Sequence, residues 1–119
     1  MHMEQHEVPA IVTAALPDIL KDERPYPIMD NIYNTMRAIV RFSKRMLAKH
    51  NLSAVETCMA LIAEIYQEGN KQIKRAIEKI YVLSFPGLQR NCTPSEWNEI
   101  LSQMPQAFYV IYQSNVRPV

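Results

Sequence analysis

Apolar side chains recur every three or four residues along most of the chain, the period of one helix face rather than the alternation of a strand. Val8, Val12, Ala15, Leu16 and Ile19 make the first such stripe. They predict a helix from about Pro9 to Leu20, kinked or restarted at Pro17, which has no backbone N–H to donate. Arg24-Pro25-Tyr26-Pro27 reads as a stiff extended linker, because a proline holds the residue before it out of the helical region. Pro27 then opens the longest helix, to about His50, with Ile28, Ile32, Met36, Ile39, Val40, Ser43, Met46 and Leu47 on its core side.

Ser53-Ala54-Val55-Glu56 has the form of a capping box and predicts the start of a third helix. Its apolar arc is wide, taking in Ala54, Val55, Cys58, Met59, Leu61, Ile62, Ile65 and Tyr66, as expected of a central helix with several neighbours. Gly69 reads as a left-handed cap, and Asn70 caps the next helix at once. The helices of residues 53–68 and 71–85 therefore form a tight αα-hairpin. Leu61, Ile62, Ile65, Ile73, Ile77 and Ile80 are its expected core, and Pro86-Gly87 its stop. Thr93-Pro94 with Glu96 starts a short helix to about Met104, carrying Trp97, Ile100, Leu101 and Met104 inward. Pro105 starts the last helix, with Phe108, Ile111 and Tyr112 on its core face, and the tail from Asn115 should fray. The pattern predicts an all-α fold: a compact bundle of about six helices around the central hairpin, one domain spanning residues 1–119.

Composition agrees with that pattern. Two glycines among 119 residues are too few for a β-rich fold, which spends glycine on turns. Two cysteines make no disulfide framework, and no apolar run is long enough to cross a bilayer. Asn91-Cys92-Thr93 matches a glycosylation sequon, accidental without a signal peptide. The expected setting is reducing and cytoplasmic, with no membrane partner.

Chemistry is sparse. His2 and His6 stand four residues apart, but at a chain end expected to fray; no metal or other cofactor is expected. Cys92 precedes a helix N-terminus, where a thiol pKa can fall. His50 is its plausible histidine partner, yet no spacing joins the two. Glu64 and Glu68 share a helix face and read as solvated. No catalytic residue is assigned, and the expectation is a protein that is not an enzyme.

Surface character offers two candidates. Arg37, Arg41, Lys44 and Arg45 project from the long helix, and Lys71, Lys74, Arg75 and Lys79 from the fourth, interrupted by Glu78. Such rows can follow phosphates, but they also lie where any soluble helix puts charge, no aromatic residues interleave with them, and the net charge is only +1. Nucleic acid is thus the alternative partner. The other candidate is apolar. Val82 falls on the charged side of the fourth helix, so Tyr81, Val82, Leu83 and Phe85 are apolar nearly all round. Tyr109 and Val110 fall outside the face of Phe108, Ile111 and Tyr112. Either the loop of residues 86–92 covers a buried helix end, or Val82, Tyr109 and Val110 belong to a subunit or partner interface.

The segment Ile65-Tyr66-Gln67-Glu68-Gly69-Asn70, with Ala76 to Phe85, resembles the central hairpin of small all-helical bacterial proteins of unknown function, some regarded as immunity-like. The resemblance implies a bacterial protein acting by binding, with no catalytic residues to carry over. The expected function is that of a non-enzymatic protein-binding or regulatory domain, with another protein or a second copy as partner.

Overall fold

The structure, a computed structural model, describes residues 3–20 and 31–116. Helix α1 (Val8–Ala15) follows a short 3-10 turn, Gln5–Glu7, and gives way at Pro17 to another, Pro17–Leu20. The chain restarts at that proline as expected, with Val8, Val12, Leu16 and Ile19 buried; Ala15 faces outward instead. From Met3 onward the N-terminal segment is tied down rather than frayed. Met3 N donates to Glu68 O (2.7 Å) and Asn70 N donates to Met3 O (3.3 Å), a parallel bridge between Met3 and Gly69.

Helix α2 (Ile32–Ala48) begins at Asn31, whose Oδ1 accepts from Asn34 N (2.8 Å). A start at Pro27 is thereby corrected: Asn31 is extended and supplies the acceptor that the first helical N–H groups lack. The proline linker and Ile28 lie outside the described residues. Helix α3 (Leu52–Glu68) is capped by Asn51, which accepts from Ala54 N (3.1 Å), rather than by Ser53. Between the two helices His50 takes a left-handed backbone (φ 59°), the role that glycine more often fills at a helix end.

Gly69 is not the left-handed cap that its position suggests; its backbone is extended (φ −80°, ψ 155°). What the site requires is the missing side chain, since a Cβ there would stand 2.6 Å from Ile73 Cγ2 and 2.9 Å from Ile65 O. Asn70 then caps α4 (Lys71–Ala76), accepting from Ile73 N at 3.0 Å. The helix does not stop at Pro86-Gly87. It runs on through a π turn (Ile77–Tyr81), a 3-10 turn (Val82–Ser84) and α5 (Phe85–Gln89). Pro86 enters the first turn of α5, where its missing N–H costs no helical bond.

The π turn has a cause in the side chains. Ile73, Ile77, Tyr81 and Phe85 are all fully buried and follow one another in four-residue steps, which overshoot an α-helical turn each time. A π turn, closing i to i+5, absorbs the overshoot. The core stripe thereby slips by about one residue: Tyr81 and Val82 are buried, whereas Ile80 is half-buried and Leu83 exposed. Ile62, Ile65, Ile73 and Ile77 are buried as expected; Leu61 is half-buried.

Helix α6 (Pro94–Gln103) has the expected capping box, Thr93 N donating to Glu96 Oε1 (2.8 Å) and Glu96 N to Thr93 Oγ1 (3.2 Å). Helix α7 (Gln106–Val116) follows Pro105 and takes in Asn115 and Val116, where the sequence predicts fraying. With α4 to α5 counted as one, the fold is the all-α bundle that the periodicity predicts. Helix α2 packs against α3, α4 and the π turn, and Tyr66, Tyr81, Phe85, Trp97 and Phe108 meet edge to face beneath α7.

Candidate binding surface

Helix α7 carries six apolar residues in succession, Ala107-Phe108-Tyr109-Val110-Ile111-Tyr112. Its Phe108 is fully buried, 5.7 Å from the Tyr66 ring and 5.8 Å from Tyr81. Tyr109, Ile111 and Tyr112 are half-buried, and Val110 is 52% exposed. The phenols face outward to polar company: Gln113 Nε2 donates to Tyr109 Oη (2.9 Å), and Tyr112 Oη donates to Gln89 Oε1 (3.2 Å). Helix α7 packs along the Val82–Ser84 turn, where Leu83 is 48% exposed.

One member of the expected interface is therefore misplaced. Val82 is 1% exposed and belongs to the core. The π turn rotates it inward and turns Leu83 out, so of the apolar residues around that turn the one offered to solvent is Leu83. Nothing local in the sequence announces the exchange; the signal is the run of four-residue steps through Ile73, Ile77, Tyr81 and Phe85.

The basic rows are partly engaged inside the fold. Arg37 donates to Asn34 Oδ1 (3.0 Å). Arg45 donates to the Asp18 carbonyl (3.1 Å) and lies over the Phe42 ring. Lys74 lies over the ring of Tyr66, whose hydroxyl donates to Glu78. Burial and the Glu78 carboxylate push that phenol up to about 12. Arg41, Lys44, Lys71, Arg75 and Lys79 are exposed.

The thiols are protonated rather than activated. Cys58 is buried, accepts from Ser43 Oγ at 3.9 Å and is pushed up to about 12 by burial. Cys92 donates to the Leu88 carbonyl (3.5 Å), and burial together with the Glu96 charge raises its pKa. A helix N-terminus can lower a thiol pKa, but here burial and the nearby carboxylate outweigh the helix end. His50 is engaged elsewhere: its Nδ1 lies 2.7 Å from Glu96 Oε2, so it joins the α2–α3 turn to the cap of α6. Among the described residues no group of three His, Cys, Asp or Glu side chains is placed to hold a metal ion. His6 is exposed; His2 lies outside the described residues.

These features define a small all-helical domain whose last helix is more apolar than the core beneath it can cover. The chain belongs to the family described as Domain of unknown function (DUF7674), which it matches over residues 9–117. No curated protein and no solved structure matches it. No described helix is long and apolar enough to cross a membrane.

Proposed function

We propose that this is a non-enzymatic domain that acts by binding another protein, a second copy of itself included, through the outward side of α7 and the adjoining turn at Leu83. The observation that carries the reading is the girth of α7: six consecutive apolar residues, of which only Phe108 is completely covered. Exposed apolar area beside tyrosines is the usual make-up of a protein contact. An immunity-like or regulatory role is the finer form of the same reading, supported by the likeness of the α3–α4 hairpin to small bacterial proteins that act by binding. A reducing bacterial cytoplasm suits its two free cysteines.

The test replaces Leu83 and Val110 by Glu, singly and together. Both positions are exposed, so the variants should keep the helical circular dichroism of the parent. Light scattering for self-association, and capture of a protein partner by the tagged chain, should then show loss of binding. Folded variants that associate and capture as the parent does would remove α7 from consideration. DNA binding that weakens steeply with salt would instead turn attention to Arg37, Arg41, Lys44, Lys71 and Arg75.

A further inference from the structure

A concave surface apart from α7 lies between the N-terminal segment, α1 and the last turns of α3, a groove of about 180 Å³. Ile65, 1% exposed, and the half-buried Met3, Ile11 and Leu61 make its floor, and the exposed Glu64 and Glu68 stand at its edge. The groove has a structural origin. The bonds of Met3 to Glu68 and Asn70 hold the N-terminal segment alongside α3, walling a strip of helix that would otherwise be flat. Glu64 and Glu68, four residues apart, project to the same side. Among the described residues, neither side chain has a hydrogen bond or ion pair, and no Lys, Arg or His lines the groove.

We propose that this groove seats a basic side chain of a protein partner, its aliphatic stem against Met3, Ile11 and Leu61 and its cationic head between Glu64 and Glu68. Long basic side chains lay their methylenes on apolar surface while keeping the charged end among polar groups, and this groove offers the two in that order. A cation relieves the repulsion of like charges one helical turn apart. An acidic side chain adds to that repulsion, and a neutral apolar one leaves it in place. Size points the same way: the volume is below the roughly 300–1,000 Å³ of sites for free small molecules and suits one side chain. The groove shares no lining residue with α7, so the inference stands apart from the reading of that helix and adds the chemistry of a partner.

The test is a titration of the full chain, followed through its Met, Ile and Leu methyl resonances. One probe is a blocked pentapeptide with a central arginine; the other carries the neutral isostere citrulline in its place. The arginine peptide should shift Met3, Ile11, Leu61 and Ile65 saturably at low salt, and the citrulline peptide should not. The double variant Glu64→Gln, Glu68→Gln should weaken the arginine peptide roughly tenfold, the combined effect of two exposed charge-assisted contacts. Both substitutions are on the surface, so the fold survives them. Equal binding of the two peptides, an undiminished affinity in the double variant, or shifts confined to other methyls would each overturn the assignment.

Discussion

The two glycines of this chain are present for different reasons, and substitution separates them. A Cβ at Gly69 would press on Ile73 and on the Ile65 carbonyl, so Gly69→Ala should destabilise by about 1–3 kcal/mol, as overpacking does. Gly87 lies inside α5, and a methyl group added there would meet nothing within 4 Å, so Gly87→Ala should stabilise by about 0.4–1 kcal/mol through the unfolded chain. Denaturant midpoints of the two variants, moving in opposite directions, check both. Tyr81 makes a related point. Its ring is fully buried, and its hydroxyl has only the weakly accepting Cys58 thiol beside it, with no well-formed hydrogen bond among the described residues. Tyr81→Phe should therefore leave stability unchanged or raise it, whereas Tyr81→Ala should cost about 3–5 kcal/mol. A large loss in the Phe variant would mean that the contact with the Cys58 thiol is a strong hydrogen bond. At this scale the core of the hairpin is legible in the sequence, because Ile62, Ile65, Ile73 and Ile77 keep helical spacing. Ile80 and Val82 are not, because a constant period misplaces both at a turn that does not keep it.

Helix α6 is joined to its neighbours by carboxyl groups whose responses to pH have opposite signs. Glu96 accepts from Thr93 N and meets His50, and these contacts hold its carboxyl below the ordinary value of 4.5. A lowered pKa gives stability that is present above the ordinary carboxylate range and is lost as pH falls through the folded-state value. Glu56 on α3 is raised, first by burial and then by the carboxyl of Glu99 on α6. Its Oε2 is shielded and has no donor among the described residues, and a proton shared with Glu99 would supply one. A raised pKa works the other way: the ionised carboxyl costs stability, increasingly as pH rises from 4.5 through the folded-state value. Thermal unfolding from about pH 2 to pH 8 should show Glu96→Gln below the parent at neutral pH, converging in acid below the ordinary carboxylate value. Glu56→Gln should lie above the parent at neutral pH, and again converge in acid. Parallel curves for both variants would refute the assignment. Among the elements, Thr93 with Glu96 is legible since cap and reciprocal partner are both local. The starts of α2 and α3 are not: Pro27, Asn31 and Asn34 offer themselves near the first and Asn51 and Ser53 near the second, and tertiary packing selects among them.

For the whole molecule, a radius of gyration of 13.7 Å is close to the about 13.5 Å expected of a folded domain of this length. Little apolar surface remains outside; Tyr33, Leu83 and Val110 are the large exposed hydrophobic residues described. The Leu83→Glu and Val110→Glu pair thus tests most of what an apolar contact could use, and should abolish association without lowering the melting temperature by more than a few degrees. The candidate surface is half legible. Val110 and Tyr109 follow from helical phase on a regular α7, and Leu83 emerges only from the irregular segment before α5. The groove at Glu64 and Glu68 is hidden altogether, because its wall comes from Met3, far away in the chain.

The π turn also has a meaning in chain length. It holds one residue more than a regular helix needs between Ile73 and Leu88. Removing the exposed Lys79 would bring Ile73, Ile77, Tyr81, Phe85 and Leu88 to successive steps of four, three, four and three, the spacing of an unbroken α-helical stripe. A chain shortened by that one lysine should fold with the same buried side chains and a regular helix from Lys71 as far as the break before Pro86, whose missing N–H still marks the start of α5. Amide exchange through residues 77–84 should slow as the wide turn disappears. If the deletion unfolds the protein, the extra residue is required by the neighbours of the turn and is no insertion that the fold merely tolerates.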